Sequence, residues 1–184
     1  QTELTPFNPL SPYACGKVAA YNLARYYRQA HSMFVSTGIL YNHDSPRRYG
    51  TGYLLQKICK AIALKEKLTL YNMDDVVDIG YAKDYMGYVY DMMQLERPDD
   101  YIICTNHIRT IRDIVGFAYR IVGLNYLDYV TESNTTDISR PGPSCSLIGD
   151  MSKLNNMITP RKHTLFDTVV YNIIQKYKKE FQCE

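Results

Sequence analysis

Short apolar runs that read as strands alternate along this chain with longer segments of helical period. Such alternation predicts an α/β fold with a largely parallel sheet. Ser11-Pro12 opens the first helix, with Ser as N-cap and Pro at the first helical position. Its period runs to about residue 29. Residues 33–42 read as a buried strand. Residues 43–52 carry Pro, Gly and charge and read as a loop. Helical period returns over 53–66, then a short strand over 68–71 and an acidic turn over 72–79. Further helices are predicted over 81–95, 108–122 and 164–181, and a short one over 152–157. Strands are predicted over 101–105 and 127–130. Gly123 stands in the C′ role behind the 108–122 helix. Residues 131–146 hold a Pro-Gly-Pro run that excludes regular structure.

The same pattern has a gap. A dinucleotide-binding α/β domain begins with a strand and a Gly-rich turn that approaches the pyrophosphate. No G-x-G-x-x-G occurs in this chain. The expectation is the second part of such a fold, without its first half. The helices should then leave apolar surface exposed, to be covered by a partner segment or another subunit.

Composition narrows the classes. The 184 residues suit one domain or a piece of something larger. Lys+Arg 21 against Asp+Glu 19 leaves a formal charge of +2, with no footprint of a nucleic-acid binder. The apolar runs are too short to cross a bilayer. Cys15, Cys59, Cys104, Cys145 and Cys183 are widely spaced and show neither a zinc pattern nor a disulfide framework. They read as buried free thiols in the cytoplasm or another reducing compartment. No metal site is expected.

Tyr13 and Lys17 stand four apart at the start of the first helix, on one face. An ammonium near a phenol favours the phenolate, and a Tyr so placed can act as a general base or acid. By spacing alone, a surface Tyr with a solvated Lys is the preferred reading. Arg47 and Arg48 form a basic pair in the 43–52 loop, suited to an anionic partner. His43 by itself reads as a loop histidine bonded to backbone. Tyr81, Tyr85 and Tyr88 read as packing residues.

Longer motifs give these residues a context. T-P-F-N-P-L-S-P-Y-A-C-G-K (5–17) is followed by G-I-L-Y-N-H-D-S-P-R-R (38–48). D-I-G-Y-A-K-D-Y (78–85), R-P-D-D-Y-I-I-C-T (97–105) and S-R-P (139–141) come later. Together they resemble the GDP-mannose 4,6-dehydratases, extended short-chain dehydrogenase/reductases. The resemblance implies the C-terminal part of the NADP-binding Rossmann fold over about 1–60, and mainly the smaller substrate-binding domain over 61–184. It implies catalytic roles for Tyr13 and Lys17. Tyr13 would accept a hydroxyl proton as hydride leaves C4 of the hexose, and Lys17 would hold the nicotinamide ribose. His43 and Arg48 would contact NADP, and the Arg47–Arg48 loop would lie where family tetramers meet. Asn42, Leu54, Lys57, Asn72 and Arg140 would line the GDP-sugar site.

The chain departs from that pattern at three places. The Gly-rich loop and the segment carrying the family's Thr and Glu are absent, so NADP would bind only with the N-terminal half supplied. Val77 stands where the family has an Arg that meets the diphosphate. Pro143 stands where a Glu is expected to grip the ribose. Three functions follow: a GDP-mannose 4,6-dehydratase-like enzyme, a non-catalytic assembly subunit, or an NADP-dependent enzyme of another nucleotide sugar.

Overall fold

The computed structural model describes residues 1–50, 52–133 and 147–182. Arg140, Pro143, Cys145 and Cys183 lie outside the described residues. Helix α1 spans Pro12–Ala30, followed by strands β1 (Thr37–Leu40) and β2 (Asn42–Asp44) and helix α2 (Leu54–Leu64). Strands β3 (Leu68–Tyr71) and β4 (Val76–Tyr81) lead into helix α3 (Ala82–Met92). Strands β5 (Asp100–Ile103) and β6 (Ile108–Thr110) precede helix α4 (Ile111–Ile121). A 3₁₀ turn (Tyr126–Asp128), strand β7 (Val130–Ser133) and helices α5 (Ser152–Asn155) and α6 (Phe166–Glu180) follow.

Pairing is parallel for β1 with β5, β2 with β4, and β3 with β7. Only β6, on the far side of β4, runs antiparallel among the described strands. The largely parallel α/β expectation therefore holds. The cap at Ser11 holds too: its Oγ accepts the Ala14 N–H at 3.1 Å. Gly123 takes the positive φ of +75° that its C′ role requires.

Four local readings need correction. The 33–42 strand is shorter and split: β1 pairs with β5, and the chain crosses at Tyr41 so that β2 pairs with β4. Met33 and Phe34 are exposed, and β1 is half-buried. His43 consequently sits in a strand rather than a loop. Residues 76–79 of the acidic turn belong to β4; only 72–75 turn. Asp78 is tolerated there, fully buried, because its carboxylate accepts from the Thr105 N–H, the Thr105 hydroxyl and the Asn106 N–H. The 108–122 helix begins at Ile111, and its first residues form β6. A reciprocal cap between Thr110 and Asp113 sets that start. Last, residues 126–128 form the 3₁₀ turn, and β7 begins only at Val130.

Apolar faces gather into two cores. The first packs α2, α4 and α6 through Leu55, Ile58, Ile114, Val115, Ile173 and Ile174. The second packs α3, β5 and α5 through Tyr85, Tyr88, Ile102, Ile103, Met151 and Leu154. Each such burial contributes about 1.5–3 kcal/mol. Gly80 lets β4 reach the second core: a Cβ there would lie 2.5 Å from the Tyr85 ring and 2.6 Å from Thr105. Tyr85 and Tyr88 are thus packing residues, as read.

Helix α1 has no buried residue. Leu23, Tyr26, Tyr27, Met33 and Phe34 are all exposed, in line with the apolar surface expected. Cys59 and Cys104 are buried thiols, but Cys15 is exposed on α1, against expectation. Cys15 lies off the half-buried stripe of α1, on the side that the described residues leave open. Among the described residues no helix is long and apolar enough to cross a membrane.

Candidate functional site

Asp100 anchors α1. It accepts the Tyr21 hydroxyl at 2.9 Å and the Arg28 guanidinium through both oxygens at 2.9 Å. Burial alone would raise this carboxyl, but the bonds from Arg28 and Tyr21 hold it below the usual aspartate range. Arg28 also donates to the Val35 carbonyl, which fixes the chain between α1 and β1.

One end of α1 carries Tyr13 and Lys17. The Tyr13 ring is 76% exposed, and Lys17 Nζ lies 5.8 Å from its centroid. Neither pairs with a carboxylate among the described residues. The predicted pair is therefore together, outward-facing and unencumbered.

A second group forms where β2 meets α2. The His43 Nδ1 lies 2.9 Å from the Tyr41 carbonyl. That contact puts the proton on Nδ1 and leaves Nε2 as the acceptor of the neutral ring. Arg48 donates to Asp44 Oδ1 at 3.0 Å and to the His43 carbonyl at 2.8 Å, with its guanidinium 4.0 Å from the Tyr53 ring centroid. Buried Gln56 also donates to Asp44, at 2.6 Å, and accepts the Tyr177 hydroxyl at 2.8 Å. Lys176 donates to the Arg48 carbonyl at 2.8 Å. Loop 44–48 is thereby fastened to α2 and α6. Neighbouring Arg47 is exposed.

The expected sugar-site residues within the described residues lie on β2, on α2 and just after β3. Asn42 is exposed beside His43. Leu54, half-buried against the core, and exposed Lys57 stand one turn apart on α2. Asn72 follows β3 with φ +51°. Its turn is tied to the start of α4, since Asp75 and Met73 carbonyls accept the Ile111 and Arg112 N–H groups. Among the described residues no hydrogen bond, ion pair or ring contact joins Tyr13 or Lys17 to His43 or Arg48.

Reading the sequence missed Asp44, Gln56, Asp78 and Arg109. The first three act by accepting or linking buried donors, which no spacing reveals. Arg109 lay hidden in what read as a helix. The T-x-x-D signature over 110–113 could have moved that start and exposed the strand.

The side chains can be set against an NADP cofactor. Tyr13 and Lys17 fit the ribose end, offering a hydroxyl and a free ammonium. The Arg48 charge is already balanced by Asp44, which makes it a poorer phosphate partner than its type suggests.

The sequence pattern that defines the family described as GDP-mannose 4,6 dehydratase matches residues 1–173. The chain belongs to this family. A GDP-mannose 4,6 dehydratase from Arabidopsis thaliana is 35% identical over 181 residues, covering 96% of this chain and 48% of the relative. The enzyme of that name from Drosophila melanogaster is 35% identical over 183 residues, covering 88% and 46%. The chain thus spans about half the length of these curated relatives. Among solved structures, the dTDP-glucose 4,6-dehydratase of Bacillus anthracis in complex with NAD superposes with a TM-score of 0.86. It is 21% identical, covering 99% of this chain and 57% of that one. The dTDP-glucose 4,6-dehydratase of Streptomyces venezuelae gives a TM-score of 0.87 at 20% identity, covering 99% and 55%. These two likenesses establish the fold of the family in this chain.

Proposed function

We propose that this chain is the sugar-handling part of a nucleotide-sugar dehydratase, converting GDP-mannose to GDP-4-keto-6-deoxymannose and water. The observation that carries this reading is the Tyr13–Lys17 pair, unpaired and exposed on one face of α1, in a chain of the GDP-mannose 4,6-dehydratase family. Tyr13 takes the proton of the C4 hydroxyl, and Lys17 holds a ribose hydroxyl. NADP, if bound, would supply the hydride acceptor and donor for the redox chemistry at the sugar. His43 and Arg48 shape the cofactor side. Asn42, Leu54, Lys57, Asn72 and Arg140 hold the GDP-sugar. The base for the C5 proton comes from outside this chain.

The same reading assigns a cover for α1. Strand β1 is paired on one edge only among the described strands, and α1 buries no residue fully. The other half of a protein twice this long fits there, extending the sheet from β1 and bringing the Gly-rich loop.

The test is turnover by the natural full-length protein. Tyr13→Phe should cut release of the keto sugar by about 10²–10⁴-fold. Its folding stability should stay within about 0.5 kcal/mol, because the ring is exposed. Unchanged turnover overturns the reading. One observation favours a non-catalytic subunit instead: Val77 packs against the first core where the family carries its arginine. A thermal-shift panel of nucleotide sugars separates the two, since a specific stabiliser leaves only an enzyme of that sugar.

A further inference from the structure

The face of the three-stranded sheet can be read from its register. Val77 lies directly opposite Arg109 across the antiparallel β4–β6 pair. Asn42 lies opposite Ile79 across the parallel β2–β4 pair. Directly opposed residues share a face, as do residues two apart on one strand. Asn42, Val77, Ile79 and Arg109 therefore project from the same side. Ile79 and Val77 form an apolar floor continuous with the first core, and Leu54 borders it.

On that floor Arg109 has a distinctive environment. It is half-buried, and its guanidinium lies 4.5 Å from the Phe166 ring centroid. Stacking on an aromatic ring keeps the planar fork in one orientation. Its one hydrogen bond among the described residues is a long 3.4 Å contact to the His107 carbonyl. Most of its N–H donors are consequently open. Among the described residues no carboxylate forms an ion pair with it. Asp113, whose charge it acts on, already accepts the Thr110 N–H at 3.0 Å and the Thr110 hydroxyl at 2.7 Å. By contrast Arg28, Arg48, Arg112 and Arg161 are each held by carboxylates. The turn bearing Asn72 is hydrogen-bonded to the two residues that follow β6 and its Thr110.

We infer that Arg109 binds the diphosphate of the nucleotide sugar, presenting from β6 the guanidinium that β4 lacks at Val77. This inference rests on the proposed nucleotide-sugar function and adds a specificity residue to it. A fixed fork with open donors suits two phosphate oxygens. The apolar floor beneath it lowers competition from water for those donors.

Calorimetry on the natural full-length protein with GDP and with guanosine tests the assignment. Arg109→Met keeps a stem of similar length against Phe166 while removing the fork. GDP should bind about 10- to 100-fold more weakly to that variant, with guanosine unchanged. Arg109→Lys should recover part of the GDP loss, because charge returns without the fork. Equal GDP affinity in wild type and Arg109→Met overturns the inference and leaves the nucleotide-sugar reading standing. So does an equal loss for GDP and guanosine, which marks Arg109 as structural. If the wild type binds no GDP, the function itself falls and the inference with it.

Discussion

Asp44 shows how one buried charge organises a loop. Its carboxylate holds the Arg48 guanidinium and the Gln56 amide, and it is nearly sealed from solvent. Asp44→Ala would remove the acceptor shared by Arg48 and Gln56, leaving them only the His43 and Ser45 carbonyls. Removing an acceptor from partly buried donors costs about 1–3 kcal/mol. Urea denaturation should show a loss of that size, more than an exposed ion pair would give. Arg48 was legible in the sequence as a phosphate-type residue, because guanidinium chemistry belongs to the residue itself. Its engagement by Asp44 was not legible, since that depends on a hairpin of backbone folding the loop back on its own strand. Tyr13 and Lys17 were legible for the opposite reason. Four residues apart in a capped helix, they have no choice of face.

At the scale of elements, end signals decided what could be read. Ser11-Pro12 fixed α1 because its cap is chemical and local. Strand β4 escaped because a run of aspartates reads as solvated turn; only Thr105 and Asn106, distant in sequence, make Asp78 acceptable inside. Strand β6 escaped because its residues continue the helical period of α4. The segment entering α6 adds a pH response. His163 lies against Tyr88, with Nε2 3.4 Å from the phenol oxygen and Nδ1 buried without a partner among the described residues. Burial holds its pKa below the usual histidine value, although Asp84 pulls the other way. Between the two values the unfolded chain binds more protons than the folded one. Stability should therefore fall as pH drops below about 6.5. Denaturation midpoints at pH 7 and pH 5.5 should differ more for the wild type than for His163→Gln.

The whole molecule has two packed cores and one helix attached from outside. Helix α1 buries no residue fully; beside a half-buried stripe of Ala14, Val18 and Ala24 it is anchored by Asp100, so part of its attachment follows the state of one carboxylate. The folded pKa is depressed, which means the stabilisation is present above the ordinary aspartate range and lost as pH falls through the folded value. With Leu23, Tyr26, Tyr27 and Phe34 uncovered, the 184-residue chain on its own should self-associate. Sedimentation velocity should show a mass that rises with concentration. Adding a polypeptide that supplies the part of the curated relatives which this chain does not span should abolish that rise.

The uneven placing of thiols along this fold makes the chain its own reporter. Cys59 and Cys104 are sealed in the cores, and burial pushes both thiols up, Cys104 to about 11. Neither is a ready nucleophile at neutral pH. Cys15 sits in the open, two positions beyond the Tyr13 phenol. Alkylation followed by peptide mapping would therefore read, at a single sulfur, whether anything has settled over the Tyr13–Lys17 end of α1. A fast-reacting Cys15 marks a bare helix, and a protected one marks assembly, before any substrate or cofactor has been found.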